Sequence, residues 1–280
     1  GGVLATRSGP KKIVISSLLC GAISMFSIGR LSGFFPLLFF TFAMGAGAAG
    51  AHISMTTLPM AWFEEKRLGR AVGILTGGTG LGIIVTGLLL PYLLSSLGQE
   101  AWRQCWLLLA LITCGVAITG WILLKEKPAQ VIVRYPSSTQ DSEGTRFRDG
   151  KDGLTLKTIV IVYFIFGFAY NIYATYFVAF MVGDIGLSEK TAGNIWALFG
   201  WMCTGSGLIW GFLSDRLGRR RALLWNNGII STSVLLPLLF HQPFLVGFSA
   251  FLFGSTFLGT VAVIAACIGD HESEKKASIY

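Results

Sequence analysis

The chain has 280 residues, of which 53% are hydrophobic and 13% are charged, and its formal net charge is +8. Soluble domains carry about 25% charged residues, so the composition argues against a soluble globular protein. The positive charge falls in short clusters between long apolar runs, which argues against a nucleic-acid-binding protein. The five cysteines lie in or beside apolar segments without metal-ligand spacing, so neither a metal site nor a cofactor is expected.

Apolar runs of about 20 residues recur along the whole chain, as in proteins with many membrane-spanning helices. Eight spans are predicted, over residues 13–30, 35–60, 71–95, 103–124, 158–181, 190–213, 222–240 and 244–268. The segment 125–157 is polar and predicts a linker between two helical halves, residues 1–124 and 158–280. Ser188 is placed to cap the sixth span. The predicted fold class is therefore an all-α polytopic membrane protein.

The basic residues are distributed very unequally between the two sides of the predicted membrane. When successive loops are assigned to alternate sides, only Arg30, Arg103 and Lys190 of the 22 lysines and arginines fall on one side. Cytoplasmic loops are enriched in Lys and Arg. The asymmetry predicts that the cytoplasmic segments are residues 1–12, 62–70, 125–157, 214–222 and 269–280.

His52 is the candidate ionisable side chain well inside a predicted span, because all fourteen acidic residues fall in loops or at span ends. Ionisable groups inside a membrane are costly and usually functional. Histidine changes charge in the physiological pH range, so His52 predicts proton coupling or substrate binding. Thr56 shares its helix face. The alternative is a neutral histidine that is hydrogen-bonded to a neighbouring helix.

Two later spans carry stripes of polar side chains. Tyr163, Tyr170 and Tyr173 fall within about a quarter turn of one helix, beside Asn171. Tyrosines provide flat apolar surface and hydroxyl groups, as ligand sites do, but packing and membrane-interface roles are alternatives. A hydroxyl stripe that includes Thr256 lies on the last span, where hydroxyls could instead satisfy helix carbonyls. Small residues on two other spans, Gly45–Gly50 and the stripe of Gly73, Gly77, Gly80 and Gly87, predict close helix packing.

A glycine-rich basic motif lies between two predicted spans. Residues 211–223 read GFLSDRLGRRRAL, and a decayed copy, GVLATRSGPKK, occupies residues 2–12. In that copy Thr6 replaces the aspartate and Pro10 replaces an arginine. Two copies of one motif indicate two homologous halves.

The segment 211–223 resembles the signature loop of the major facilitator superfamily, G-x-L-x-D-R-x-G-R-R/K. The resemblance implies two pseudo-symmetric halves and places the chain from the end of the second to the end of the tenth of twelve helices, so that eight are present. In that family the first, fourth, seventh and tenth helices line a central cavity, and the last three of these correspond to the spans with the polar stripes. The expected substrate-binding residues, facing that cavity, are His52, Thr56, Tyr170, Asn171, Tyr173 and Thr256.

The resemblance also implies a cytoplasmic gate. Asp215 is expected at the start of the third span, near residues 69–73, and Arg219 is expected to reach Asp270. In the first copy, Arg7 or Lys11 is expected to reach Glu64 or Glu65. The other motif residues assigned to the gate are Gly211, Arg216, Gly218 and Arg220. The alternative is that Asp215 caps its own loop and that Arg219 serves only membrane orientation.

The function implied by the resemblance is secondary active transport of a small solute by alternating access in the plasma (inner) membrane. An organic anion is the expected substrate class, a proton is the candidate coupling ion, and a monomer is expected. Thr41 and Gly78 stand where the family often has an arginine and, in its antiporters, a proline, so symport, antiport and facilitation stay open. The nearest branches are monocarboxylate-porter-like or YbfB/YjiJ-like. A transporter-like sensor or scaffold is the alternative; HExxH and GxSxG motifs of enzymes are absent from the sequence.

Overall fold

The structure is a computed structural model that describes residues 10–62, 65–98, 101–124 and 156–277. In these ranges every regular element is a helix and no strand occurs, which confirms the predicted all-α class. The eight helices are α1 Pro10–Arg30, α2 Phe34–Trp62, α3 Glu65–Leu97, α4 Ala101–Leu123, α5 Leu156–Gly183, α6 Glu189–Leu217, α7 Arg219–Leu239 and α8 Pro243–Ala277. Each contains a stretch long and apolar enough to cross a membrane.

Several helices extend beyond the predicted spans into polar sequence, and α7, for example, begins at Arg219. α3 begins at Glu65, α6 continues to Leu217 and α8 continues to Ala277. Residues 65–70 and 214–217 were expected in loops, and that expectation was wrong. Once an apolar stretch is helical, each further residue adds one hydrogen bond without a new nucleation cost, so the charged flanks extend the helix.

Many large apolar side chains are exposed on these helices. Phe35 on α2, Ile74 on α3 and Phe164 on α5 are examples, and Phe35 is 80% exposed. A water-soluble protein rarely presents so much contiguous apolar surface. The exposed side chains are therefore suited to contact with lipid, in agreement with a multi-pass membrane protein.

The first of two compact units contains α1, α2, α4 and the ends of α3. Within it, α1 packs against α2 and α4. Gly47 of α2 approaches α1 so closely that an added Cβ would lie 2.8 Å from the Ser17 carbonyl oxygen. At Gly47 this contact confirms the close helix packing that was predicted from the small residues of α2.

The second unit contains Gly73–Pro91 of α3 together with α5 to α8. α8 packs against α6 and α7, and α5 contacts α6 and α8. Its core is largely aromatic, with Phe199 and Phe253 almost completely buried. Ser188 caps α6, because its Oγ accepts a hydrogen bond of 3.2 Å from the Thr191 N–H, as predicted. The predicted division of the chain into the halves 1–124 and 158–280 stays a prediction.

The segment of α3 within the second unit packs on α6 through glycines of both helices. A Cβ on Gly80 would lie 2.7 Å from the Gly200 carbonyl oxygen, and a Cβ on Gly200 would lie 2.8 Å from the Gly80 carbonyl oxygen. Gly87 and Gly193 face each other in the same way, beside the ring of Pro91. Only residues without a side chain permit this approach of two backbones. The glycine stripe predicted on α3 is thus a packing face, and its partner is α6.

Candidate functional site

The basic motif forms a tight corner between α6 and α7. Gly218 joins the two helices with φ of 86° and ψ of 147°, a conformation that side chains disfavour. Its N–H donates to the Ser214 carbonyl oxygen at 3.1 Å. The motif is therefore helical on both sides of one glycine.

Hydrogen bonds connect four motif residues in this corner. The Ser214 hydroxyl donates to the Gly211 carbonyl oxygen at 2.8 Å and accepts from the Arg219 guanidinium at 2.6 Å. Arg219 also forms an ion pair with Asp215. Because Arg219 begins α7, its positive charge lies at the positive end of a helix dipole. The Asp215 carboxylate offsets that charge, so one acid stabilises the basic corner.

This geometry bears on the expected gate. Within the motif Arg219 bonds to Asp215 and Ser214; its expected contact with Asp270, whose side chain lies outside the described residues, stays a prediction. Asp215 remains 65% exposed on its side chain, whereas Arg219 is 17% exposed. Arg216 lies over the Phe212 ring, 4.2 Å from its centroid, and Arg220 is exposed on α7. The approach of Asp215 to residues 69–73 stays a prediction.

Several other residues of the expected gate lie outside the part of the chain that the structure describes. Arg7 and Glu64 lie outside the described residues, and so do the side chains of Glu65 and Asp270. Glu65 is the first residue of α3, and Asp270 lies in the last turns of α8. Lys11 lies in the first turn of α1. The contacts expected for the first motif copy therefore stay a prediction.

Tyr173 lies in the core of the second unit. Its ring stacks between Phe177 and Phe253, at centroid distances of 4.3 and 4.0 Å. The Ser249 hydroxyl already donates to the Ser233 carbonyl oxygen at 2.6 Å, so the Tyr173 hydroxyl is the donor to Ser249 at 3.0 Å. The structure shows packing and hydrogen bonding for Tyr173, and its expected contact with substrate stays a prediction.

A buried amide, Asn226 on α7, connects α7 to α8. Its Nδ2 donates to the Thr256 carbonyl oxygen at 3.1 Å, and its Oδ1 accepts from the Thr260 hydroxyl. All three residues are completely buried. Nearby, the Trp210 indole N–H donates to the Ser255 carbonyl oxygen at 2.8 Å, which connects α6 to the same part of α8. Sequence reasoning missed Asn226, although a polar amide inside a span is a signal that could have identified it.

The Thr256 side chain is hydrogen-bonded within its own helix. Its hydroxyl donates to the carbonyl oxygens of Leu252 and Phe253 in its own helix, at 2.9 and 3.0 Å. That is the alternative considered for hydroxyls in this stripe. Its expected role in substrate binding stays a prediction.

Tyr170 and Asn171 are more accessible. Tyr170 is half-buried, with its ring 5.0 Å from that of Phe257. Asn171 is exposed, and its Nδ2 donates to the Gly167 carbonyl oxygen at 2.8 Å, which leaves the amide oxygen accessible. These two side chains, together with the exposed Tyr163, are polar groups of the α5 stripe that a solute could reach from the surface of the second unit.

In the first unit, His52 is exposed on α2, two residues before the completely buried Ser54. Thr56 lies on the same helix, and its side chain is outside the described residues. At the other end of the unit, Arg103 donates to the Leu31 carbonyl oxygen at 3.3 Å and to the Ser32 hydroxyl at 3.0 Å. This contact ties α4 to the turn between α1 and α2. Within the described ranges, no group of His, Cys, Asp or Glu side chains could hold a metal ion.

Comparisons with known proteins give a consistent result. A family model described as Major Facilitator Superfamily matches residues 1–275. A probable nitrate/nitrite antiporter, NarK1 of Thermus thermophilus, is 25% identical over 241 residues, which cover 82% of this chain and 52% of the relative. A probable sulfoacetate transporter, SauU of Cupriavidus necator, is 23% identical over 231 residues, covering 79% and 53%. The chain thus spans about half the length of these curated relatives.

Proposed function

This chain belongs to the major facilitator superfamily, and on that premise we propose that the protein is a secondary active transporter that moves a small anionic solute by alternating access. The observation that carries the proposal is the family match along residues 1–275, on a chain whose described residues include eight helices long enough to span a membrane. The names of both relatives describe transport of small anions, nitrate or nitrite in one case and sulfoacetate in the other.

The proposed anion is expected to contact His52, which is exposed on α2. A protonated imidazole would supply positive charge and N–H donors, and it would link binding to proton uptake. On α5, the Asn171 amide and the Tyr170 hydroxyl are the proposed further contacts. The plasma (inner) membrane is the proposed location, and ion coupling, with a proton as the candidate, belongs to this proposal.

The corner between α6 and α7 is the proposed moving part. Asp215 is 65% exposed, so its carboxylate can accept a second partner besides Arg219 when the cytoplasmic side closes. Asp215→Asn is expected to increase the labelling of a cysteine placed on the cytoplasmic side of the transport path. A coupling of about 1–3 kcal/mol would change the ratio of open to closed states by roughly 5- to 150-fold. Asp184→Asn, in the turn after α5, is the matched control; equal labelling in both variants would refute a role in the gate.

Uptake by the whole protein in liposomes tests the proposed function. Nitrate, sulfoacetate and a neutral solute such as glycerol would be offered with and without a pH gradient. Uptake of either anion is expected, with little uptake of glycerol. In the His52→Gln variant, anion uptake should depend less on the pH gradient. Failure of the correctly folded protein to move any of these anions would contradict the proposal, and ligand-dependent stabilisation without uptake would favour a sensor.

A further inference from the structure

A groove lies in the first unit between the beginning of α1 and the end of α4. Its volume is about 470 Å³, which falls within the range of about 300–1,000 Å³ typical of small-ligand sites. The lining residues are Lys11, Lys12, Ile15, Ser16, Leu19 and Trp121. None of the residues proposed to contact the transported solute lines this groove, although Lys11 also belongs to the first motif copy.

The groove is basic at one end and apolar at the other. Lys11, Ile15 and Leu19 are spaced by four residues and therefore share one face of α1. At 1.5 Å of rise per residue, Leu19 lies about 12 Å further along the helix than Lys11. Charge at the end of a span and apolar side chains deeper within it match a molecule with an anionic head and a hydrocarbon tail.

Hydrogen-bond donors at the basic end are available to a ligand. Among the described residues, neither the Lys11 and Lys12 ammonium groups nor the Trp121 indole N–H has a hydrogen-bond or ion-pair partner. The Ser16 hydroxyl donates to the Ile13 carbonyl oxygen at 3.1 Å, so the lysines and the indole are the donors left for an anion. Phosphate oxygens are acceptors only and suit two ammonium groups and one N–H.

We propose that this groove binds one anionic phospholipid of the surrounding bilayer. Its phosphate lies between Lys11, Lys12 and the Trp121 indole, and an acyl chain runs along Ile15 and Leu19. Basic pockets between spanning helices at a membrane surface bind anionic head groups in this manner. A soluble phosphate would use the lysines but would leave the apolar floor uncovered, so the lipid is the occupant that matches the whole groove.

Quenching of Trp121 fluorescence by brominated lipids tests this assignment. The whole protein is placed in phosphatidylcholine discs that contain a small fraction of phosphatidylglycerol, and either lipid carries bromine on its acyl chains. The signal of Trp121 is the difference between the protein and its Trp121→Phe variant. Brominated phosphatidylglycerol is expected to quench Trp121 more strongly than an equal fraction of brominated phosphatidylcholine.

Charge removal identifies the basis of the preference. Each basic residue near an anionic membrane surface contributes roughly fivefold to binding, so Lys11→Gln with Lys12→Gln should reduce the preference for phosphatidylglycerol about 30-fold. The Lys12→Gln variant alone should reduce it about fivefold and serves if the double variant misfolds. Lys190→Gln, an exposed lysine at the start of α6, is the matched control and should leave the preference unchanged.

Three results would overturn the proposal. Equal quenching by the two brominated lipids would show that the groove does not select an anionic lipid. A preference that survives Lys12→Gln and the double variant would show that these lysines act only in membrane orientation. Relief of quenching by soluble glycerol phosphate at low concentration would identify a free phosphate, rather than a lipid, as the occupant.

Discussion

Alanine substitutions on α3 test whether its glycines determine the packing against α6. The variants are Gly80→Ala and Gly87→Ala, and the controls in the same helix are Gly78→Ala and Gly82→Ala. A Cβ on Gly80 would lie 2.7 Å from one backbone atom of α6 and 2.9 Å from another, and a Cβ on Gly87 would lie 2.8 and 2.9 Å from two more. At the control positions nothing lies within 4 Å. Backbone atoms cannot rotate away, so the helices must separate.

The magnitude follows from these distances. Ordinary van der Waals contact begins at 3.4 Å, so each added methyl group requires a separation of about 0.5–0.7 Å. Overpacking of this kind costs about 1–3 kcal/mol, while replacement of glycine by alanine within a helix recovers about 0.5–1 kcal/mol. The interface variants should therefore lose up to about 2.5 kcal/mol of unfolding free energy, whereas the controls should be unchanged or slightly more stable.

Unfolding in mixed detergent micelles measures this difference. The fraction of sodium dodecyl sulfate is raised and loss of structure is followed by tryptophan fluorescence and circular dichroism. The midpoints of Gly80→Ala and Gly87→Ala should fall below those of both controls. If all four variants unfold at the same midpoint, the close approach of α3 to α6 does not contribute to stability and the argument from distances is refuted.

Three further variants are tested by the same titration, each with a matched control. Asn226→Ala removes the amide between α7 and α8 and should lower the unfolding free energy by about 0.6–1.7 kcal/mol. The control is Asn227→Ala, because the Asn227 Nδ2 donates within its own helix, to the Leu223 carbonyl oxygen, and its loss should be smaller. Equal losses would contradict the bridging role of Asn226. Tyr173→Phe removes the donor to Ser249 and should lose a similar amount, whereas Tyr176→Phe, an exposed tyrosine, should lose none; full stability of Tyr173→Phe would argue against the hydroxyl contact. Gly218→Ala forces a side chain into a conformation with φ of 86° and should cost about 1–3 kcal/mol. The control Gly211→Ala, at a helical position of the same motif, should leave the stability unchanged or raise it. A larger loss of stability in Gly211→Ala than in Gly218→Ala would exclude strain at Gly218.

The sequence predicted the helices better than their partners. Long apolar runs predicted eight spans because a membrane requires a minimum helix length, and the structure confirms eight helices in the described ranges. The glycine stripe of α3 predicted a close contact, but a face without side chains fits any small surface, so α6 could not be identified as its neighbour. The pairing of Gly80 with Gly200 becomes visible only when both helices are in place.

The motif and the buried amide show two different reasons for incomplete prediction. Charged residues at 214–222 suggested a loop, but aspartate and arginine side chains can extend from a helix end and pair with each other, as Asp215 and Arg219 do. The role of Asn226 depends on the Thr256 carbonyl oxygen, 30 residues away along the chain, and no local pattern indicates such a partner. The hydrogen bonds of Tyr173 to Ser249 and of Thr256 to carbonyl oxygens of its own helix required the structure, while the role of the polar stripes in substrate binding stays a prediction.

The contact between α3 and α6 has a consequence for synthesis of the protein. Gly200 follows Gly80 by 120 residues, so at about 5–20 residues per second the ribosome adds the partner about 6–24 s later. During that interval α3 exposes a row of glycine backbones, and Pro91 has no N–H to donate to the Gly87 carbonyl oxygen. An unsatisfied carbonyl in hydrocarbon is costly, and the glycine face lacks its partner until α6 emerges, so a chaperone or the insertion machinery would help newly made α3 by shielding this face.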